Sequence, residues 1–337
     1  MISSSSTPTD ITLITPDSSG EISRDADGGV IPVSAYLEAP LPSNISTISD
    51  VYSDYDRTLE IEKEIVTASR NYGDAINEIA HGGDIKGLEP LTYDLTLQLA
   101  AVAADRAIRL AEVGIEGMNV TLSPPKLNQS YNFMGRADDW RAWQKKQSYQ
   151  WMILRLLAGA EDDFQTHTPT LLRRYRTKIG KWRQDRIAAA RGDNGMHSCY
   201  LARHQPVMDE LGYPLIEVPS LVLDHSIQRD TVKRQKIAEA GKATLAPLIE
   251  ACGIAGHRAQ GLGNLMGRLY PESRLECRTR NAKTYQRYFE RWEVDGMITA
   301  TGHTWHDPSA FFWTECNHRN LPTVILQHGG QYGYDDK

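Results

Sequence analysis

Residues 196–337 alternate between short β-branched runs and stretches of helical periodicity, and this alternation limits the fold more than any other feature of the chain. The segments 214–218 (PLIEV), 295–301 (DGMITAT) and 323–327 (TVILQ) read as strands. Between them, 229–251 reads as an amphipathic helix ended by Gly253, and 308–318 as a second helix opened by Pro308. Strands alternating with helices over short connections imply a parallel, doubly wound sheet with right-handed crossovers. The expected class is therefore α/β.

The rest of the chain is more helical. Leu59, Ile61, Ile65, Val66, Ile76 and Ile79 recur at roughly helical spacing, and the run ends at the HGG of 81–83. After Pro90, a stripe of Leu91, Leu95, Leu99, Val102, Ala103 and Leu110 predicts a second helix closed by Gly114. A strand at 118–122 follows, stopped by Pro124 and Pro125; helix, glycine and β-branched run form the second half of a β–α–β unit. Trp140, Trp143, Tyr149, Trp151, Ile153, Leu154 and Leu157 predict a buried helical surface, so the middle, 126–195, reads as a large helix-rich insertion. Within it, 171–191 carries eight basic residues against Asp185, either a solvated face or an electropositive rim for a phosphorylated or membrane-bound acceptor. Residues 1–50 are rich in Ser, Thr, Asp, Pro and Gly, hold Arg24 as their one basic residue, and read as a loosely attached tail before an α/β domain over 51–337. Only 11–15 in that tail has the composition of a strand.

Several classes drop out. With 37 basic and 43 acidic residues the net charge is −6, which argues against a chain that coats nucleic acid. No window approaches the roughly 18 apolar residues of a membrane span, and the first residues lack a basic-then-apolar leader. Cys199, Cys252, Cys277 and Cys316 stand singly, so neither a disulfide framework nor a Cys-rich zinc site is expected, in keeping with a reducing cytoplasm. There is no GxSxG elbow, Walker A loop, HExxH segment or dinucleotide-binding glycine fingerprint.

Ligands of open α/β sheets bind beyond the carboxyl ends of the strands. That rule selects two loops: 302–306 (GHTWH) after the strand at 295–301, and 328–333 (HGGQYG) after the strand at 323–327. The two strands flank one helix, so both loops should open on one edge and bring His303, His306 and His328 together. Their spacing does not suit a zinc site, and no metal is expected. Gly329 and Gly330 would let backbone amides approach phosphate or sugar oxygens, and His328 could donate to an anion or act as a base. A further glycine cluster, 256–263 (GHRAQGLG), reads as a loop, either merely flexible or gripping a phosphate through Arg258.

The stretch 322–333 (PTVILQHGGQYG) resembles the QHGGxYG hallmark of a family of bacterial surface-carbohydrate transferases. Upstream, 198–205 (SCYLARHQ), with Leu211, Gly212, Pro214 and Pro219, is similar to that family's Tyr-Leu…Gln…Leu-Gly…Pro stretch. The likeness covers roughly 195–337. It implies a GT-B-like N-terminal Rossmann-type domain with a parallel sheet, the second GT-B domain being absent from a sequence that stops four residues past the motif. It also implies a glycosyltransferase that moves a sugar from a nucleotide-activated donor to a cell-surface polysaccharide or lipopolysaccharide. Carried over by position, His328 would be base or phosphate-orienting group, with His303 and His306 nearby. Gln327, Gly329, Gly330, Tyr332 and Gly333 would line the cleft. No cofactor is implied beyond the donor substrate. The implied setting is cytoplasmic, at the inner face of the membrane, with peripheral contact through 171–191. Two alternatives stay open: a non-catalytic acceptor- or partner-binding module, and a glycerophosphotransferase-like enzyme of wall or capsule polymer synthesis.

Overall fold

The computed structural model describes residues 10–13, 29–32, 45–48, 59–81, 89–112, 114–116, 119–122, 137, 140, 147–159, 195–198, 206, 208–210, 212, 215–219, 221, 228–299 and 306–326. Along the chain these give β1 (Asp10–Leu13), β2 (Gly29–Pro32), β3 (Ile45–Ile48), α1 (Glu62–His81), α2 (Glu89–Glu112), β4 (Asn119–Leu122), α3 (Gln147–Leu157), β5 (Gly195–Ser198) and β6 (Leu215–Glu217). There follow α4 (Thr231–Ala251), a 3₁₀ turn (Gly256–Arg258), α5 (Ala259–Leu269), α6 (Arg278–Arg291), β7 (Val294–Thr299), α7 (Asp307–His318) and β8 (Thr323–Ile325). The protein is mixed α/β and mostly helical. None of the described helices is long and apolar enough to cross a membrane.

All described strand pairs are parallel, and they fall into two four-stranded sheets, ordered β3-β2-β1-β4 and β6-β5-β7-β8. The first sheet corrects the reading of 1–50 as a tail. Three of its strands come from that stretch, the first overlapping 11–15, and β4 returns to pair with β1 from Asp10↔Asn119 to Leu13↔Leu122. Four-residue strands carrying Gly, Ser and Thr show no periodicity of their own. β1 is held by a partner more than a hundred positions away, and β2 and β3 pair outward from it, which local sequence does not display.

The helices α1 to α5, interleaved in sequence with the strands of both sheets, form a body with its own core, in which Tyr72, Ile76, Leu99, Trp140, Tyr149, Leu157, Ile237, Leu245, Leu262 and Met266 are all buried. The expected helices over 59–81, after Pro90, and at 229–251 are present, and α2 closes at Gly114, whose φ is +71°. Asp230 caps α4 by accepting from the Lys233 amide at 2.9 Å.

The glycine cluster 256–263 is not a loop. It forms the 3₁₀ turn and the start of α5, and the glycines serve helix packing. A Cβ at Gly263 would lie 2.3 Å from the Ala238 carbonyl oxygen, and one at Gly267 2.6 Å from that of Arg234. Ala259, Gly263 and Gly267, four residues apart, make the bare stripe that lets α5 lie directly against the α4 backbone. Arg234 locks the same contact. Its guanidinium donates to the Gly267, Arg268 and Tyr270 carbonyls at the end of α5 and pairs with Glu276 at 2.6 Å.

In the second sheet, β5 is wholly buried and β7 exposes only Asp295, as central strands of a parallel sheet covered on both faces should. Their cover includes an aromatic layer from α6 and α7: Tyr285, Tyr288, Phe289, Phe311 and Phe312. His197 belongs to this layer. The Gly195 carbonyl can only accept, so Nδ1 of His197 carries the proton, at 3.0 Å. In the neutral ring Nε2 accepts from the Tyr288 hydroxyl at 2.9 Å, and the ring packs 4.9 Å from that of Phe312.

Candidate functional site

The order β6-β5-β7-β8 contains one reversal. From β5 the chain adds β6 on one side and then β7 on the other, so the topological switch point lies between β5 and β7. Loops leaving the two flanking strands diverge at such a point and open a crevice at the carboxyl edge. At that edge Ser198 and Thr299 end β5 and β7, both buried, with Ser198 in register with Ile298. One strand further, Thr299 is in register with Ile325, and the Leu326 amide donates to the Thr299 carbonyl at 2.7 Å.

Thr299 and Leu326, the last described residues of these two segments, therefore lie side by side at one edge of the sheet. Close pairing of β7 with β8 at their amino ends depends on Gly296, where a Cβ would lie 2.4 Å from the Pro322 carbonyl oxygen. His303, Gln327, His328, Gly329, Gly330, Tyr332 and Gly333 lie outside the described residues, as does 171–191.

His306 is described. It is the residue before α7, in extended conformation, and its ring is half-buried with Nδ1 2.7 Å from the Ser309 hydroxyl. Ser309 is fully buried one turn into the helix, so it holds the imidazole at a fixed orientation on the carboxyl edge.

The neighbour of His306 escaped the sequence reading. Asp307 is 0% exposed and accepts three hydrogen bonds: from the Ala137 amide at 3.1 Å, the Ser273 hydroxyl at 2.5 Å, and Arg274 Nε at 2.9 Å. Arg274 is itself 3% exposed, so the two charges compensate each other inside the protein. Asp307 thus fixes the start of α7, and with it His306, to the turn at 271–277 between α5 and α6. An Asp-Pro pair opening a helix is legible in sequence. Its partners, 33, 34 and 170 residues earlier, are not.

Arg258 stands elsewhere. It lies at the start of α5, whereas the turn that grips Asp307 follows the end of that helix, about 16 Å away along an 11-residue axis. Its Nε pairs with Glu116 at 3.0 Å and its Nη1 donates to the Leu157 carbonyl at 2.9 Å, closing the end of α3. The Ala255 amide at 2.9 Å, ahead of the Arg258 charge, holds the Glu116 carboxyl below the ordinary carboxylate range. Arg258 and His306 are therefore not brought together.

Among the described residues, no group of three or more His, Cys, Asp or Glu side chains is placed to hold a metal ion. Comparison of the chain with protein-family models, with curated proteins and with solved structures finds no match.

Proposed function

We propose that the chain is part of a GT-B-like glycosyltransferase that passes a sugar from a nucleotide-activated donor to a surface-carbohydrate acceptor. The observation that supports this reading is the parallel pairing of β7 with β8, whose ends at Thr299 and Ile325 share one edge and precede in sequence the segments that hold His303 and His306 and the His-Gly-Gly motif. Two parallel sheets, each with a single reversal of strand order, are also what an architecture of paired Rossmann-type units would contribute.

In the proposed reaction the acceptor hydroxyl oxygen forms a bond to the anomeric carbon of the donor sugar. The bond from that carbon to the phosphate oxygen breaks, and the nucleotide leaves with its electron pair. His328 takes the acceptor proton, and His306, oriented by Ser309, donates to the acceptor or to the leaving phosphate. The amides around Gly329 and Gly330 receive the donor phosphates.

Thermal unfolding of the whole gene product with a panel of UDP-, GDP-, TDP- and CMP-linked sugars tests the reading, because a ligand of the native state raises the midpoint. One sugar nucleotide should stabilise the protein. His328→Ala should abolish transfer from that donor while leaving the ligand-free midpoint in place. A panel that stabilises nothing, or transfer that survives His328→Ala, overturns it.

A further inference from the structure

We propose that the outer face of α6 is a docking surface for an anionic lipid bilayer. Arg280, Lys283, Arg287 and Arg291 are all exposed on this helix. At 100° per residue they fall within an arc of about 80°, in a row about 16 Å long. Among the described residues none of the four is ion-paired with a carboxylate. Glu290 flanks the row and Glu293 lies beyond its end.

Successive members are three, four and four residues apart, so each faces a like charge, an arrangement that destabilises a helix. A merely solvated face has no need of that cost. On α4, for comparison, exposed cations alternate with Glu239 and the Gln235 side chain donates to Glu239 at 3.0 Å. The row on α6 also sits on a chain whose net charge is −6, so it is a local reversal of sign.

The form of the row selects the partner. It is the convex side of one helix, so among the described residues it offers no groove to track a nucleic-acid backbone. The aromatic residues of α6 (Tyr285, Tyr288 and Phe289) are buried on its other side and cannot stack on bases. A flat anionic surface needs only a straight row of long, flexible cations. Contact along one helix also leaves most of the acidic remainder beyond the roughly 8 Å over which charges are felt at physiological salt.

This inference does not rest on the transferase reading, and its test involves no sugar. The whole protein is sedimented with vesicles of phosphatidylcholine alone and of phosphatidylcholine mixed with phosphatidylglycerol, at low and high salt. Binding is expected to the mixed vesicles only and to vanish at high salt. Arg280→Gln/Lys283→Gln/Arg287→Gln/Arg291→Gln should weaken it at least about a hundredfold, at about fivefold per cation. Lys236→Gln/Lys242→Gln on α4 should bind as the parent does. Relief of like-charge repulsion predicts that the quadruple variant melts no lower than the parent. Should it unfold, the single changes Lys283→Gln and Arg287→Gln supply the graded readout. Failure to bind the mixed vesicles, undiminished binding by the α6 variants, or tighter binding to a duplex or single-stranded oligonucleotide at matched salt overturns the proposal.

Discussion

Asp307 shows how much one side chain can organise. Removing its carboxylate takes the Asp307 charge from the buried Arg274 guanidinium and strips a partner from Ser273 and from the Ala137 amide. Breaking one side of a buried ion pair costs about 3–5 kcal/mol, so Asp307→Ala should lower the unfolding free energy by that amount in a denaturant titration. Asp307→Asn keeps an acceptor for the hydroxyl and amide and should cost less. Glu116 lies at the other extreme. Its side chain is 45% exposed, so its pairing with Arg258 is screened and contributes little. Its sign is nevertheless defined. A carboxyl whose folded pKa is depressed adds stability above its ordinary value of 4.5, and that stability disappears as pH falls through the folded value. The stability difference between the parent and Glu116→Gln should therefore be present at neutral pH and close on acidification; a gap that widens in acid contradicts this. Burial pushes the Cys316 thiol up to about 12, and Cys252 and Cys277 are buried too. Alkylation near pH 8 should spare these three until the protein is unfolded.

At the scale of elements, the contact between α4 and α5 is set by absent side chains. A methyl group at Gly263 or Gly267 meets backbone carbonyl oxygen, which cannot rotate away as a flexible side chain can. Gly263→Ala and Gly267→Ala should each destabilise by about 1–3 kcal/mol despite alanine's better helix propensity. Gly212 is the informative contrast. A Cβ there meets nothing within 4 Å, but its φ is +66°, so Gly212→Ala should cost only the roughly 1 kcal/mol of a left-handed backbone. Thermal denaturation of the three variants ranks the two effects, and equal losses would contradict the packing account. The same elements show what the sequence could reveal. Helices with a long apolar stripe, such as α1 and α2, and β-branched strands such as β7 and β8 are legible because their periodicity is local. β5, with the sequence GMHS, carries no β-branched residue and is a strand only because β6 and β7 pair with it. The glycines of α5 look like a loop because helix propensity penalises them, and the compensating approach of α4 lies in tertiary structure. At the candidate site, the common edge of β7 and β8 could be foreseen. The switch point between β5 and β7, and the anchoring of His306 through Asp307, could not, because both depend on a strand and on partners that leave no local signal.

Across the whole molecule, apolar burial is divided. One cluster fills the helical body from α1 to α5, and another lies among α6, α7 and β7. The turn at 271–277 joins them covalently, and through Ser273 and Arg274 it grips Asp307 at the head of α7. Two such clusters joined by a polar clasp can open separately once the clasp is broken, because each retains the burial that holds it together. Arg274→Met removes the cation and leaves the Asp307 charge buried at the edge of the second core, while every apolar contact inside the first remains. Amide exchange followed by mass spectrometry should then show β7 and the first turns of α7 losing protection while α4 and α5 keep theirs. In the parent, the two regions should exchange with more nearly equal protection. The carboxyl edge beside β7 is where His306 sits, so the variant should also lose whatever ligand-induced protection the parent gains there. Uniform loss across α4, α5, β7 and α7 would mean that the two clusters unfold as one unit and that the clasp is not what couples them.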